Sequence, residues 1–130
     1  MKEYDIIAIG SGSAMNIISA VLAQKPAPTV ALIEKDEPGG ICLTRGCIPT
    51  KLLVYPAELV RLFQDADRFG IHAPIKKVDL GRVMKRMRDH VRPDIENIRR
   101  GLTHSPDLDY YPHAAEFVAP YTLKAGGTTM

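Results

Sequence analysis

Tyr4-Asp5-Ile6-Ile7-Ala8-Ile9-Gly10-Ser11-Gly12-Ser13 opens the chain, and Thr29-Val30-Ala31-Leu32-Ile33-Glu34 follows soon after. The first stretch is a short apolar run that ends in glycine, the pattern of a buried strand. The second is β-branched and apolar and reads as another strand. Between them, residues 13–24 are small and apolar and hold no proline, so they read as a helix, closed by Lys25-Pro26. Strand, helix and strand within about 30 residues make a βαβ unit, whose crossover is right-handed and whose strands are parallel. The fold class expected is therefore α/β.

Outward from this unit, residues 37–46 read as a glycine-rich loop. A helical pattern runs from about Pro49 to Asp65, with Leu52, Leu59 and Phe63 near one stripe and Pro56 as an expected kink. Residues 69–77 read as a connection. Asp79 then caps a long helix whose apolar positions Leu80, Val83, Met84, Met87, Val91, Ile95 and Ile98 repeat with a 3.6-residue period, interrupted by Pro93. Residues 108–124 read as short antiparallel strands: Tyr110-Tyr111, Ala115 to Val118, and Thr122 to Lys124. After the turn at Gly126-Gly127, residues 128–130 look like the start of a strand that never finishes.

With 130 residues the chain is at most one ordinary domain. Apolar residues make up 45% and charged residues 25%, a globular balance that excludes a disordered tail. Seventeen basic and fifteen acidic residues leave a net charge of +2, too even to argue for nucleic acid. Residues 76–100 carry nine Lys/Arg against four Asp/Glu, but interleaved acids and the lack of aromatics read as a solvated helix face. No run of about 18 apolar residues exists to span a membrane. Glu3 and Asp5 stand where a signal peptide needs positive charge, so the expected compartment is cytoplasmic and reducing. There a cysteine pair is more often catalytic than structural.

Gly10-Ser11-Gly12 lies where the first strand hands over to the helix. The first glycine permits a tight turn, and the second lets a pyrophosphate approach the backbone. The helix N-terminus offers free N–H groups and partial positive charge, with Ser13 as a further donor. Glu34 ends the second strand, 24 residues after Gly10. An acid there accepts hydrogen bonds from ribose hydroxyls and repels a 2′-phosphate, which favours FAD or NAD over NADP. Met15 occupies the place of the third glycine of such fingerprints, so the helix must shift to take its side chain. The competing reading is a turn that merely needs two glycines.

Gly39-Gly40-Ile41-Cys42-Leu43-Thr44-Arg45-Gly46-Cys47-Ile48-Pro49-Thr50-Lys51 is the most informative segment. Two cysteines five apart, with Gly46 between them, can close a small disulfide ring. Cys47 lies at a predicted helix start, where the dipole lowers a thiol pKa from about 8.5 to roughly 3.5–7.5. Lys51, four residues on, shares the helix face of Cys47. Thiolate, cation and a neighbouring nucleotide site suit thiol–disulfide chemistry linked to a redox cofactor. Zinc would want four ligands, and none of the four histidines pairs with the cysteines in spacing. Two inert core cysteines are the other alternative.

The segment resembles the redox-active disulfide of the FAD-dependent pyridine nucleotide–disulfide oxidoreductases, Gly-Gly-x-Cys-x4-Cys-x-Pro-x-Lys. The βαβ unit with Glu34 precedes it at that family's distance. The resemblance covers residues 1–130 but only the N-terminal quarter or so of a full member. It implies a partial Rossmann-like FAD-binding domain, with the nicotinamide-binding and dimerisation domains absent. It implies that Cys42 is the interchange thiol, Cys47 the thiolate beside the flavin, and Lys51 the lysine near the flavin N5. Gly10, Ser11, Gly12, Ser13, Ala14, Glu34, Lys35, Gly40, Ile41 and Cys42 match FAD contacts, and Ala115 matches a small residue whose backbone meets the adenine. The cofactors implied are FAD, with NAD(P) in the full-length parent. The partners implied are a disulfide, dithiol or lipoyl substrate and a second copy in a homodimer, with neither nucleic acid nor membrane. Cys47-Ile48-Pro49-Thr50-Lys51 looks most like dihydrolipoamide dehydrogenases; mercuric or glutathione-type reductases and a non-catalytic nucleotide-binding or thiol-switch module are the alternatives.

Overall fold

The computed structural model describes all residues, Met1–Met130. Strands β1 (Ile6–Ile9) and β2 (Val30–Ile33) flank helix α1 (Met15–Leu22), as the βαβ pattern demands. The strands are parallel, with Ile6 opposite Val30 and Ile9 opposite Ile33. After β2 come a short helix α2 (Gly40–Thr44), a long helix α3 (Cys47–Asp65) with a 3₁₀ turn at Ala66–Phe69, and helix α4 (Leu80–Thr103). Strands β3 (Asp109–Tyr111), β4 (Ala115–Ala119), β5 (Thr122–Ala125) and β6 (Thr128–Thr129) complete the chain.

Three expectations need correction. Residues 37–46 are not all loop, because Gly39 and Gly40 turn the chain and α2 forms immediately afterwards. Tyr110-Tyr111 does not belong to an antiparallel meander: it pairs parallel with β2, Leu32 opposite Tyr110, giving a sheet ordered β1-β2-β3. Three residues carry no period, so the sequence pattern could not tell which sheet they would join. The last strand does finish a hairpin: β6 pairs with β5, and Leu123 and Met130 exchange backbone hydrogen bonds of 2.7 and 2.8 Å. Helices α3 and α4 run on through Pro56 and Pro93. Each proline forfeits one backbone bond and the rest of a long helix carries it. Asp79 caps α4 as expected, its carboxylate accepting from the Arg82 N–H at 3.0 Å.

Strand β2 is central and all four of its residues are buried. Alternation sends Ala31 and Ile33 toward the small antiparallel sheet, where they pack with Leu123, Ala125 and Met130. A second core joins the helices: Leu43 of α2 meets Val91 and Ile95 of α4, with Ile48 and Leu52 of α3 against them. These contacts use the α4 stripe expected from its period. Together the two cores hold the carboxyl ends of β1 and β2 beside α2 and the start of α3, which places the site.

Candidate functional site

Strand β1 ends at Gly10, whose N–H donates to the Ile33 carbonyl at 2.7 Å. Gly10 has φ +97°, a conformation open to glycine, and a Cβ there would meet nothing within 4 Å. The chain then enters α1. Met15, Asn16 and Ile17 donate their N–H groups to carbonyls three residues back. The N–H groups of Gly12, Ser13 and Ala14 have no acceptor in the protein, and Ala14 caps α1 without any side-chain bond. Three free donors at a helix start suit an anion. Met15, where a third glycine was expected, begins the helix half-buried.

Glu34 is the hub of this corner. Its Oε2 accepts from the Ser11 N–H at 2.9 Å and the Ser11 hydroxyl at 2.8 Å, and its Oε1 accepts from the Asp36 N–H at 3.0 Å. Burial opposes its charge, but these donors outweigh burial and hold the carboxyl below its ordinary value. Oε1 keeps a lone pair for a further donor. Gly10, Glu34, Lys35 and Ala115 line one cleft of about 280 Å³ with His113 and Ala114. Gly40 and Ile41 line a neighbouring one of about 370 Å³ that shares Glu34 and Lys35. Two clefts meeting at a carboxylate, beside free helix N–H groups, fit a dinucleotide with a ribose at Glu34 and a pyrophosphate at α1. Gly10, Glu34, Lys35, Gly40, Ile41 and Ala115, all expected to hold FAD, thus line these clefts, and Ser11 joins them as a buried residue bonded to Glu34 and Gly39.

The glycine corner touches the cysteine segment directly. Gly40 has φ +71°, and a Cβ there would lie 2.5 Å from the Gly12 Cα, so only glycine lets these two backbones meet. The Ser11 hydroxyl accepts from the Gly39 N–H at 3.0 Å. Arg45, between the cysteines, pairs with Asp36 and holds that carboxyl below its usual range. Sequence reading missed the Asp36–Arg45 clip, because two charges nine apart in a loop signal nothing without the fold.

Cys42 lies in α2 rather than in a loop, and Cys47 begins α3 as expected. Both are exposed free thiols. A side-chain hydrogen bond with Cys47 pushes the Cys42 thiol above its ordinary value, with desolvation and the neighbouring sulfur's charge adding to it. The Cys47 N–H and the Lys51 charge pull the other way. Cys42, Cys47 and Lys51 therefore form one interacting group, in which the Cys42 thiol is held above its ordinary value. A cleft of about 540 Å³ also borders Glu34 and Lys35, on the side of Arg99 and Tyr110. Two others, of about 490 and 510 Å³, lie along α3, lined by Phe63, Pro74 and Ile75 among others. They hold none of these groups.

No family model matches the chain. A dihydrolipoyl dehydrogenase of Chlamydia muridarum (strain MoPn / Nigg) is 33% identical over 128 residues, 98% of this chain and 27% of that protein. A mycothione reductase of Mycobacterium tuberculosis (strain CDC 1551 / Oshkosh) is 39% identical over 114 residues, 85% of this chain and 24% of that protein. An HOCl-induced flavoprotein disulfide reductase of Escherichia coli, solved as a Cu(II) complex, matches with TM-score 0.70 and 28% identity, covering 100% of this chain and 26% of that one. The chain belongs to the flavoprotein disulfide oxidoreductases. It spans about a quarter of the length of these relatives. No helix is long and apolar enough to cross a membrane.

Proposed function

We propose that the chain supplies the FAD-binding and redox-disulfide portion of an FAD-dependent disulfide oxidoreductase. The observation that carries this reading is the joining of two sites: Gly40 of the cysteine segment packs on Gly12 of the free N–H turn, with Glu34 beside both. Gly10, Gly12, Ser13 and Ala14 would hold the pyrophosphate; Glu34 and Lys35 the ribose; Ala115 the adenine edge; Gly40, Ile41 and Cys42 the portion between. When bound, FAD supplies two-electron transfer between a nicotinamide, NAD(P), and the protein disulfide.

The chemistry of this chain's own residues is thiol exchange. With Cys42 and Cys47 joined as a disulfide, one thiolate of a dithiol substrate attacks the Cys42 sulfur. The S–S bond breaks and Cys47 leaves as a thiolate, stabilised by the start of α3 and by Lys51. The second substrate thiol, losing its proton, attacks the mixed disulfide. It releases the oxidised substrate and leaves Cys42 as the second thiol. Dihydrolipoamide, oxidised to lipoamide, is the substrate favoured by Cys47-Ile48-Pro49-Thr50-Lys51. Mercuric and glutathione-type reduction are the alternatives, as is a thiol switch without turnover. The working assembly is a homodimer of a longer polypeptide in a reducing cytoplasm, and the isolated 130 residues bind FAD weakly and do not turn over.

The test is a pair of substitutions in the polypeptide that carries this segment. Cys42→Ser should lose lipoamide-dependent NADH oxidation yet keep a long-wavelength thiolate–flavin absorbance, and Cys47→Ser should lose both. The reverse pattern would exchange the two roles. Retention of turnover in both variants would remove the disulfide reading.

A further inference from the structure

Ser11 is the one buried polar side chain of the site, 3% exposed. Its hydroxyl stands between two segments far apart in sequence, donating to Glu34 Oε2 at 2.8 Å and accepting from the Gly39 N–H at 3.0 Å. Its own N–H donates to the same carboxylate oxygen at 2.9 Å. Nothing is left over for a ligand on the donor side. The Gly39 N–H is the last amide before the Gly39-Gly40 turn, and α2 with Cys42 starts at Gly40. Glu34 in turn is fixed at its other oxygen by the Asp36 N–H, and Asp36 is tied to Arg45, the residue that ends α2. Ser11 and Arg45 therefore grip α2 from its two ends, and both grips run back to the Glu34–Asp36 turn. Leu43 is the single buried residue of α2, so the hydrogen bonds at its two ends add to a small core contact.

We propose that Ser11 is a positioning residue for the cysteine pair rather than a ligand contact: its hydroxyl fixes the start of α2, and so sets how readily Cys42 reaches Cys47. This rests on the reading of the two cysteines as a redox couple. A disulfide forms in proportion to the effective concentration of one thiol at the other. Loss of the hydroxyl leaves the half-buried Gly39 N–H without an acceptor in the protein and loosens the start of α2. One such bond is worth about 1 kcal/mol net, roughly a fivefold change in an equilibrium constant.

The test uses the 130-residue chain in glutathione buffers of graded ratio. The reaction is disulfide exchange: two glutathione thiols reduce the Cys42–Cys47 bond and become glutathione disulfide, and both cysteines take up protons. Ser11→Ala should shift the equilibrium toward the dithiol by roughly fivefold. Ser11→Thr, which restores a hydroxyl, should recover most of it. Ser19→Ala removes a hydroxyl that only back-bonds to the Met15 carbonyl on exposed α1, and should leave the equilibrium unchanged. Glu34→Gln, which weakens the acceptor that orients Ser11, should move it the same way as Ser11→Ala and stands in should that variant not fold. A Ser11→Ala chain that melts lower but keeps the wild-type equilibrium would overturn the proposal and leave the redox couple standing. A wild-type chain with no intramolecular disulfide at any ratio would remove the couple itself.

Discussion

The corner where β1, β2 and α2 meet and the outer face of α3 are built on opposite terms. In the corner, small residues and backbone groups approach closely: Gly12 against Gly40, Ser11 against Glu34 and Gly39. Ser11, Glu34 and Gly39 are bonded to one another there, while the N–H groups of Gly12, Ser13 and Ala14 stay free. Along α3 the sequence is equally rich in apolar residues, yet only Pro49 is buried. Leu62 is 66% exposed, Phe63 51% and Tyr55 55%. The corner is specified by close backbone approach together with the side-chain hydrogen bonds of Ser11 and Glu34. The α3 face has an apolar stripe with only the segment of residues 73–78 beside part of it. Chemical positioning and burial are thus divided between neighbouring elements.

The contrast breaks most sharply at Gly40. Gly40→Ala forces a Cβ to within 2.5 Å of the Gly12 Cα and requires a positive φ of alanine. It should cost about 2–4 kcal/mol in urea unfolding. A loss below about 0.5 kcal/mol, the range of ordinary surface changes, would show that the two backbones are not held together.

The next effect is on the thiols. Because the Cys42 thiol donates to the Cys47 sulfur and feels that sulfur's charge, both of which raise it, Cys47→Ala should lower the pH at which Cys42 reacts half-maximally with iodoacetamide. An unchanged or higher midpoint would separate the two sulfurs.

Acid should then weaken the corner. Glu34 titrates below its ordinary value when folded, so its contribution is present above the unfolded value and is lost as pH falls through the folded one. Glu34→Gln should flatten part of the stability loss measured by denaturant melts below the ordinary carboxylate range. The same acid slope in both proteins would place the loss on other carboxylates; Asp5, Asp36 and Asp109 are also held low by their partners.

At the small end, Leu62→Ala on the open face of α3 should change stability by less than about 0.5 kcal/mol. A loss of several kcal/mol would mean that this face is packed in solution, and the contrast would fail there.

How much of this could be read from the chain depends on what each residue answers to. The βαβ unit was legible because its apolar runs, Ile6 to Ile9 and Val30 to Ile33, are long enough to show a strand and are punctuated by Gly10 and Pro26. The cysteine segment was legible because its residue types and spacing are constrained by chemistry. Tyr110-Tyr111 was misplaced because its partner strand lies about 80 residues earlier, a pairing set by tertiary packing alone. α2 was missed because five residues opened by Gly39 and Gly40 look like loop to any local rule. The bonds of Ser11 to Glu34 and Gly39 were not legible, because its partners lie 23 and 28 residues away and meet it only once the strands pair.

The central claim is that Cys42 and Cys47 form one intramolecular redox disulfide, and peptide mapping tests it directly. Trypsin cuts after Lys35, Arg45 and Lys51, so Cys42 falls in residues 36–45 and Cys47 in residues 46–51. After mild oxidation of the 130-residue chain, a non-reducing digest should show these two peptides joined, at a mass that dithiothreitol splits into the separate pair. Recovery of the two peptides only as free thiols or as mixed disulfides with small molecules, under conditions that fully oxidise glutathione, would contradict it.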